Sequence, residues 1–160
     1  MQIRDLDMHT KTSLKQFDVP HEELKLAGRG IGIGGSALNG RVAFDMADIK
    51  MIRKKFPKES VILVRPDTVP DDIGMIFATD GLLTAKGGAT SHAAVTATRL
   101  GRTSIVNCSS MTVLENEKIC RFKNHEFTAA DKIAIDGNLG NIFAGNYPIT
   151  DEKNYKEFRV

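Results

Sequence analysis

The sequence predicts a mixed α/β domain. Three observations carry that expectation. Several short runs are apolar and β-branched, only about three segments show helical signals, and two places pass from a strand through a turn directly into a helix. At 160 residues the chain is sized for one domain, with about two-thirds of its unfolded surface available to a single core.

The elements follow in order. Residues 1–25 are polar without a sustained period and read as a lead-in, with a short helix near residues 21–26. Gly28, Gly30, Gly32, Gly34 and Gly35 then cluster. Gly30-x-Gly32-x-x-Gly35 formally satisfies a dinucleotide-binding fingerprint, but no strong strand precedes it and residues 40–44 read as a strand, not a helix. The cluster is therefore expected to be a glycine-rich turn that lets two strands pack closely. Residues 47–56 place Ile49, Ile52 and Phe56 at helical spacing with Lys50, Arg53 and Lys54 opposite, an amphipathic helix with a solvated basic face. Residues 61–64 form a wholly apolar strand.

Arg65-Pro66-Asp67 turns the chain, and Thr68 and Asp71 have the spacing of a capping box for a helix reaching about residue 78. Residues 81–84 read as a second buried strand, followed by a glycine turn and a helix that ends near Gly101, a natural C′ residue. Residues 104–106, 118–122, 132–136 and 141–144 complete the strands, with Asp136-Gly137-Asn138 as a turn signal.

Bulk properties narrow the function classes. Hydrophobic residues are 41% and charged residues 26% of the chain, and the formal charge is +2. That balance gives no electrostatic case for a nucleic acid or an anionic membrane. No apolar stretch is long enough to span a bilayer and the start has no signal-peptide pattern, so the expected location is the cytoplasm. Cys108 and Cys120 fit no zinc spacing and no histidine pair supplies further ligands. Two reduced thiols, at least one in the core, and no metal site are expected. His9, His21 and His125 read as surface histidines.

The chemistry concentrates in Gly87-Gly88-Ala89-Thr90-Ser91-His92-Ala93-Ala94. Two glycines make a turn with free backbone N–H groups, Thr90 and Ser91 can cap a helix, and His92 falls in its first turn. A helix N-terminus offers unpaired donors and a partial positive charge. It favours a bound anion and disfavours imidazolium, leaving the neutral ring that acts as a nucleophile. The pattern reads either as a polar helix start or as a histidine that carries a phosphoryl group. Arg65, after a strand, reads equally as a phosphate-binding guanidinium or as a structural bond to a carboxylate or carbonyl in its own turn. Thr90 reads first as an N-cap.

Residues 61–108 resemble the mobile phosphohistidine domain of phosphoenolpyruvate-utilising enzymes. The resemblance rests on Arg65-Pro66-x-Thr68-x-Pro70-x-Asp72, Asp80-Gly81, Thr84, Gly87-Gly88 and Thr90-Ser91-His92-Ala93-Ala94. It extends weakly through Gly40-Arg41-Val42 and through Ile135-Asp136-Gly137 and Gly140, covering roughly residues 30–145. Gln16-Phe17-Asp18 is similar to the lead-in of pyruvate phosphate dikinase, which makes that enzyme's domain the nearest likeness. The motifs are specific for the domain and less so for the enzyme around it.

The resemblance implies a swivelling β/β/α sandwich over residues 28–147, with a lead-in at 1–27 and a tail at 148–160. It implies that His92 is the phosphorylated residue, at a helix N-terminus, with Gly87, Gly88, Thr90, Ser91 and Arg65 around the phosphate. Thr90 matches a regulatory phosphorylation position in plant dikinases. The implied partners are an ATP-binding domain and a phosphoenolpyruvate/pyruvate-binding barrel domain, in the same polypeptide or in trans. Mg²⁺ and ATP would belong to those domains and no cofactor to this chain, which alone would not turn over. The same carrier could serve a pyruvate water dikinase, enzyme I of the sugar phosphotransferase system or another phosphotransferase. A diverged, unphosphorylated interaction module is the other alternative. Its support is Thr98, where the family often has arginine, and Asn107, where it often has glycine. Gly35 stands where the family usually has proline.

Overall fold

A computed structural model describes residues 15–88 and 92–151. Its centre is a run of four parallel strands in sequence order: β4 (Ala37–Ala43), β5 (Val61–Arg65), β6 (Gly81–Thr84) and β7 (Thr103–Val106). Parallel neighbours need crossovers. These are α1 (Met46–Lys55), a 3₁₀ turn at Pro70–Asp72 running into α2 (Ile73–Phe77), and α3 (His92–Arg99). Apolar residues of all three crossovers enter one cluster with Ala43, Val61, Leu63 and Leu82, so the helices cover one face. The strand–helix alternation predicted by sequence is thus observed as a mixed α/β fold.

The remaining strands close the sheet. β11 (Lys132–Asp136) pairs antiparallel with β4, and β12 (Asn141–Ala144) follows it through a hairpin whose turn is tied by Asp136 Oδ1 to the N–H groups of Asn138 and Leu139. β2 (Leu26–Arg29) then pairs with β12, at one end of the strand order. β3 (Ile31–Gly34) pairs with β7, at the other end. Only Gly30 separates β2 from β3, so the chain itself joins the two ends and the sheet curls shut. Val42, Ile62, Val64, Leu83, Ile105, Ile133, Ile135 and Ile142 point inside the curl. A three-stranded sheet of β8 (Thr112–Leu114), β9 (Ile119–Arg121) and β10 (Glu126–Thr128) adds Cys120, Phe122 and Phe127 to the same core.

This arrangement corrects the expected glycine turn: residues 26–34 are two strands. Gly28, Gly30 and Gly32 alternate at the strand period and face inward. A Cβ at Gly28 would lie 2.5 Å from the Phe122 ring, at Gly30 2.6 Å from Cys108 Sγ, and at Gly32 2.3 Å from the Gly137 carbonyl oxygen. The fingerprint-like spacing records a strand with no space for side chains. Gly35 has φ +83°, a conformation closed to proline.

Three other expectations shift. The helix near residues 21–26 is a 3₁₀ turn at His21–Glu23, with Leu26 already in β2. The capping box on Thr68 and Asp71 does not form. Pro70 takes the first helical position, and Asp72 Oδ2 reaches back to the Val69 N–H at 3.1 Å. Two flanking strands were not expected: β1 (Lys15–Phe17) and β13 (Ile149–Asp151) pair antiparallel, bringing the two flanks of the domain side by side. Phe17 packs edge-on to Phe143 and Tyr147, with ring centroids 5.5 and 6.1 Å away. Among the described residues no helix is long and apolar enough to cross a membrane.

Candidate functional site

Of the sequence-predicted residues, Arg65, Gly87, Gly88 and the backbone of His92 are described, and Arg65 and the glycine turn follow the C-terminal ends of parallel strands. Arg65 ends β5 and Thr84 ends β6, directly paired. Beyond them the two segments stay joined, Ala85 N–H to the Arg65 carbonyl and Lys86 N–H to the Pro66 carbonyl. Thr84 Oγ1 donates to the Lys86 carbonyl at 2.6 Å. The chain then turns at Gly87, whose φ of +98° favours glycine. Gly88 meets nothing within 4 Å at the position of a Cβ. Ala89, Thr90 and Ser91 lie outside the described residues, so the capping, phosphate-binding and regulatory readings of Thr90 and Ser91 fall there. α3 opens at His92, of which only the backbone is described.

The far end of α3 is built as the sequence predicts. Gly101, at φ +71°, donates to the Thr98 carbonyl and Arg102 N–H to the Ala97 carbonyl, the two bonds of a Schellman ending. Thr98 donates its hydroxyl to the Ala94 carbonyl at 2.8 Å, so it serves its own helix. Asn107 has φ +55°, a left-handed conformation that asparagine tolerates and glycine adopts freely. This accounts for its standing where the family often has glycine.

Arg65 makes structural bonds. Its Nε pairs with Asp72 Oδ2 at 3.3 Å, and its Nη1 meets the Phe44 carbonyl at 3.2 Å and Glu115 Oε1 at 3.1 Å. Asp72 is buried and Glu115 half exposed. The turn carrying Asp72 packs against α3, so the arginine network adjoins the helix that begins at His92. A second network lies on the same edge. Lys118 Nζ bridges Asp48 Oδ1 at 2.9 Å and Asp45 Oδ2 at 3.1 Å, at the N-terminus of α1. Hydrogen bonds to Asp48 and Asp45 hold the Lys118 ammonium above its usual pKa. At Asp45 burial pushes the carboxyl up, but the Asp48 N–H and Lys118 outweigh it, and the net direction is down.

Sequence reasoning singled out Arg65 and His92 and did not single out Glu115 or Lys118, which the fold brings to this edge. These come from the β8–β9 turn, about fifty residues further along the chain, and carry no local motif. Asp72 stood in the motif without a role. Asp80 lies at the opposite end of β6, where its carboxylate accepts from Val61 N–H and pairs with Arg53, a structural task. Among the described residues no three His, Cys, Asp or Glu gather as metal ligands. Cys108 and Cys120 are free and buried, and burial pushes both thiols up to about 12.

Comparison with known proteins agrees with the motifs. Residues 57–140 match the family model of the PEP-utilising enzyme mobile domain. A pyruvate, phosphate dikinase of Clostridium symbiosum is 35% identical over 122 residues, 76% of this chain and 14% of that protein. A chloroplastic one from Arabidopsis thaliana is 35% identical over 121 residues, 76% of this chain and 12% of its own length. One from Entamoeba histolytica is 34% identical over 123 residues, 77% of this chain and 14% of that protein. The chain thus corresponds to a small part of each relative. Among solved structures, an NMR structure of Enzyme I aligns over 64% of this chain and 36% of that one, at 23% identity and a TM-score of 0.38.

Proposed function

Because this chain belongs to the mobile-domain family of PEP-utilising enzymes, we propose that it is a phosphohistidine carrier with His92 as the residue that holds the phosphoryl group. The observation that carries this reading is positional: the family match spans His92, which opens a helix just beyond a glycine turn at the C-terminal edge of four parallel strands. A helix start there favours both a neutral ring and a bound anion.

In the proposed chemistry the lone pair of the neutral His92 ring attacks the phosphorus of a donor. The bond from phosphorus to the leaving oxygen breaks and its electron pair departs with that oxygen, leaving a phosphoramidate. In the second step an acceptor oxygen, such as that of enolpyruvate, attacks phosphorus and the P–N bond breaks back onto the ring. Charge stabilisation and positioning dominate such transfers. Gly87, Gly88, Thr90 and Ser91 are proposed to supply donors to the phosphate oxygens, and Arg65 a guanidinium.

ATP and Mg²⁺ would be held by a nucleotide-binding domain, and pyruvate by a barrel domain, in the same polypeptide or in trans. The likeness to pyruvate, phosphate dikinases favours that enzyme as the setting. We place the carrier body at residues 28–147, as a swivelling β/β/α sandwich in the cytoplasm.

Labelled phosphoenolpyruvate, incubated with this chain and the barrel domain of a related dikinase, tests the reading. Acid-labile, alkali-stable label at His92 is expected. Label elsewhere in the chain overturns the assignment, and acid-stable label at Thr90 or Ser91 points to regulatory phosphorylation. The chain alone is expected to give no turnover of ATP, phosphate and pyruvate.

A further inference from the structure

Thr84 stands in the family motif but outside the residues proposed to meet phosphate. It ends β6 and is 2% exposed. Its backbone is held from both sides. It pairs with Arg65 of β5, and its carbonyl accepts from the Cys108 N–H at 3.0 Å. A branched Cβ on a fixed backbone leaves the side chain little rotational freedom. Its hydroxyl donates to the Lys86 carbonyl at 2.6 Å, two residues along the chain.

That bond fixes the peptide from which the glycine turn departs. The Lys86 N–H is taken by the Pro66 carbonyl at 3.0 Å and the Lys86 carbonyl by Thr84, so both backbone polar groups of this residue are held. Gly87 follows at φ +98°. The peptide joining Lys86 to Gly87 is planar and trans, so its carbonyl and its N–H point in opposite directions. A hydroxyl that holds the Lys86 carbonyl therefore aims the Gly87 N–H away from the buried strand end. At Gly88 nothing lies within 4 Å of a Cβ position, so the turn opens onto free space.

Resting on the carrier reading, we infer that Thr84 is a positioning residue for the phosphate-binding turn. By holding the Lys86 carbonyl it sets the Lys86–Gly87 peptide plane and presents the Gly87 N–H as a donor ready-oriented for a phosphoryl oxygen. Donors fixed before the reaction need no reorganisation during it. A hydroxyl that served only its own burial would have no such effect on the turn.

The test uses the whole chain as wild type, Thr84→Val and Thr84→Ser. Valine keeps the branched shape and removes the donor; serine keeps the donor. Lys86 is exposed, so in the valine variant its carbonyl can turn to water and the fold survives. Two quantities are read: the Gly87 and Gly88 amide resonances in ¹H–¹⁵N spectra, and the rate at which phosphoenolpyruvate labels His92 through the barrel domain of a related dikinase. In Thr84→Val both amides are expected to shift while resonances of the remaining sheet stay in place. Labelling is expected to slow by about tenfold or more, with an unchanged KM for phosphoenolpyruvate, which the barrel domain binds. Thr84→Ser is expected to restore the amides and to label within about twofold of wild type. Glycine amides unmoved in the valine variant overturn the inference. So does a valine variant whose amides move but whose labelling keeps the wild-type rate, because the bond would then be structural only. Absence of label at His92 in wild type, with the amides moving as expected, would instead remove the carrier reading and leave the turn's dependence on Thr84 standing.

Discussion

Gly30 is the residue on which closure of the sheet turns. A Cβ there would lie 2.6 Å from Cys108 Sγ, 2.7 Å from Ile105 Cγ2 and 2.8 Å from the Val106 carbonyl oxygen. The last is backbone of β7 and cannot rotate away. Gly30→Ala is therefore expected to lose about 1–3 kcal/mol through overpacking, read as a lowered urea midpoint. Gly74, in α2, is the opposite case. Nothing lies within 4 Å of its Cβ position, so Gly74→Ala is expected to gain about 0.5–1 kcal/mol by the helix preference for alanine. His92 is decided by function. A carrier must be reachable by two partners in turn, so His92→Ala is expected to abolish labelling while moving stability by no more than about 0.5 kcal/mol. A large fall in the urea midpoint would make His92 a structural histidine.

The elements depend on pairs that join distant parts of the chain, and these pairs mark the limit of what local sequence discloses. Asp72 ties the turn before α2 to β5 through Arg65. Asp72→Ala leaves the Val69 N–H and Arg65 Nε without that carboxylate, while Glu115 and the Phe44 carbonyl still hold the guanidinium. The expected cost is about 1–3 kcal/mol, checked by urea unfolding, with Arg65→Ala and the double variant completing the cycle. The parallel strands and their helices were legible because each declares its period locally: 61–64 and 81–84 by apolar runs, α1 by its face of Ile49 and Ile52, α3 by Gly101. β2 and β3 were not, because alternate glycines remove the apolar signal from the side of these strands that approaches its neighbours too closely for a side chain. The three-residue strands β1, β8, β10 and β13 were too short to show a period. His92 and the glycine turn were legible as one contiguous motif. Glu115 was not, since only the fold brings it to Arg65.

At the scale of the whole molecule, two packed regions meet the sheet from either side. Helices cover its outer face, and the small β8–β9–β10 sheet completes the core inside the curl. Cys108 and Cys120 sit in that inner core, both fully buried. Burial raises the thiols from 9.0 to about 12, and Cys120 is pushed further the same way by Cys108. Between pH 9 and 12 the unfolded chain gives up these protons while the folded chain retains them, so the unfolded state binds fewer protons and stability falls as pH rises. Below pH 9 the two thiols contribute no slope. Above it each contributes up to about 1.4 kcal/mol per pH unit, and replacing one cysteine with alanine should remove about half of the thiol slope. Urea midpoints measured from pH 7 to 11, in wild type and in Cys108→Ala and Cys120→Ala, check the sign. The comparison lies in the slopes, because each alanine also lowers stability at every pH by loss of packing. An alkaline slope untouched by either substitution would place the titrating groups elsewhere in the molecule. Slow alkylation of both thiols in the native chain at pH 8, and prompt alkylation in urea, is the companion expectation of the same burial.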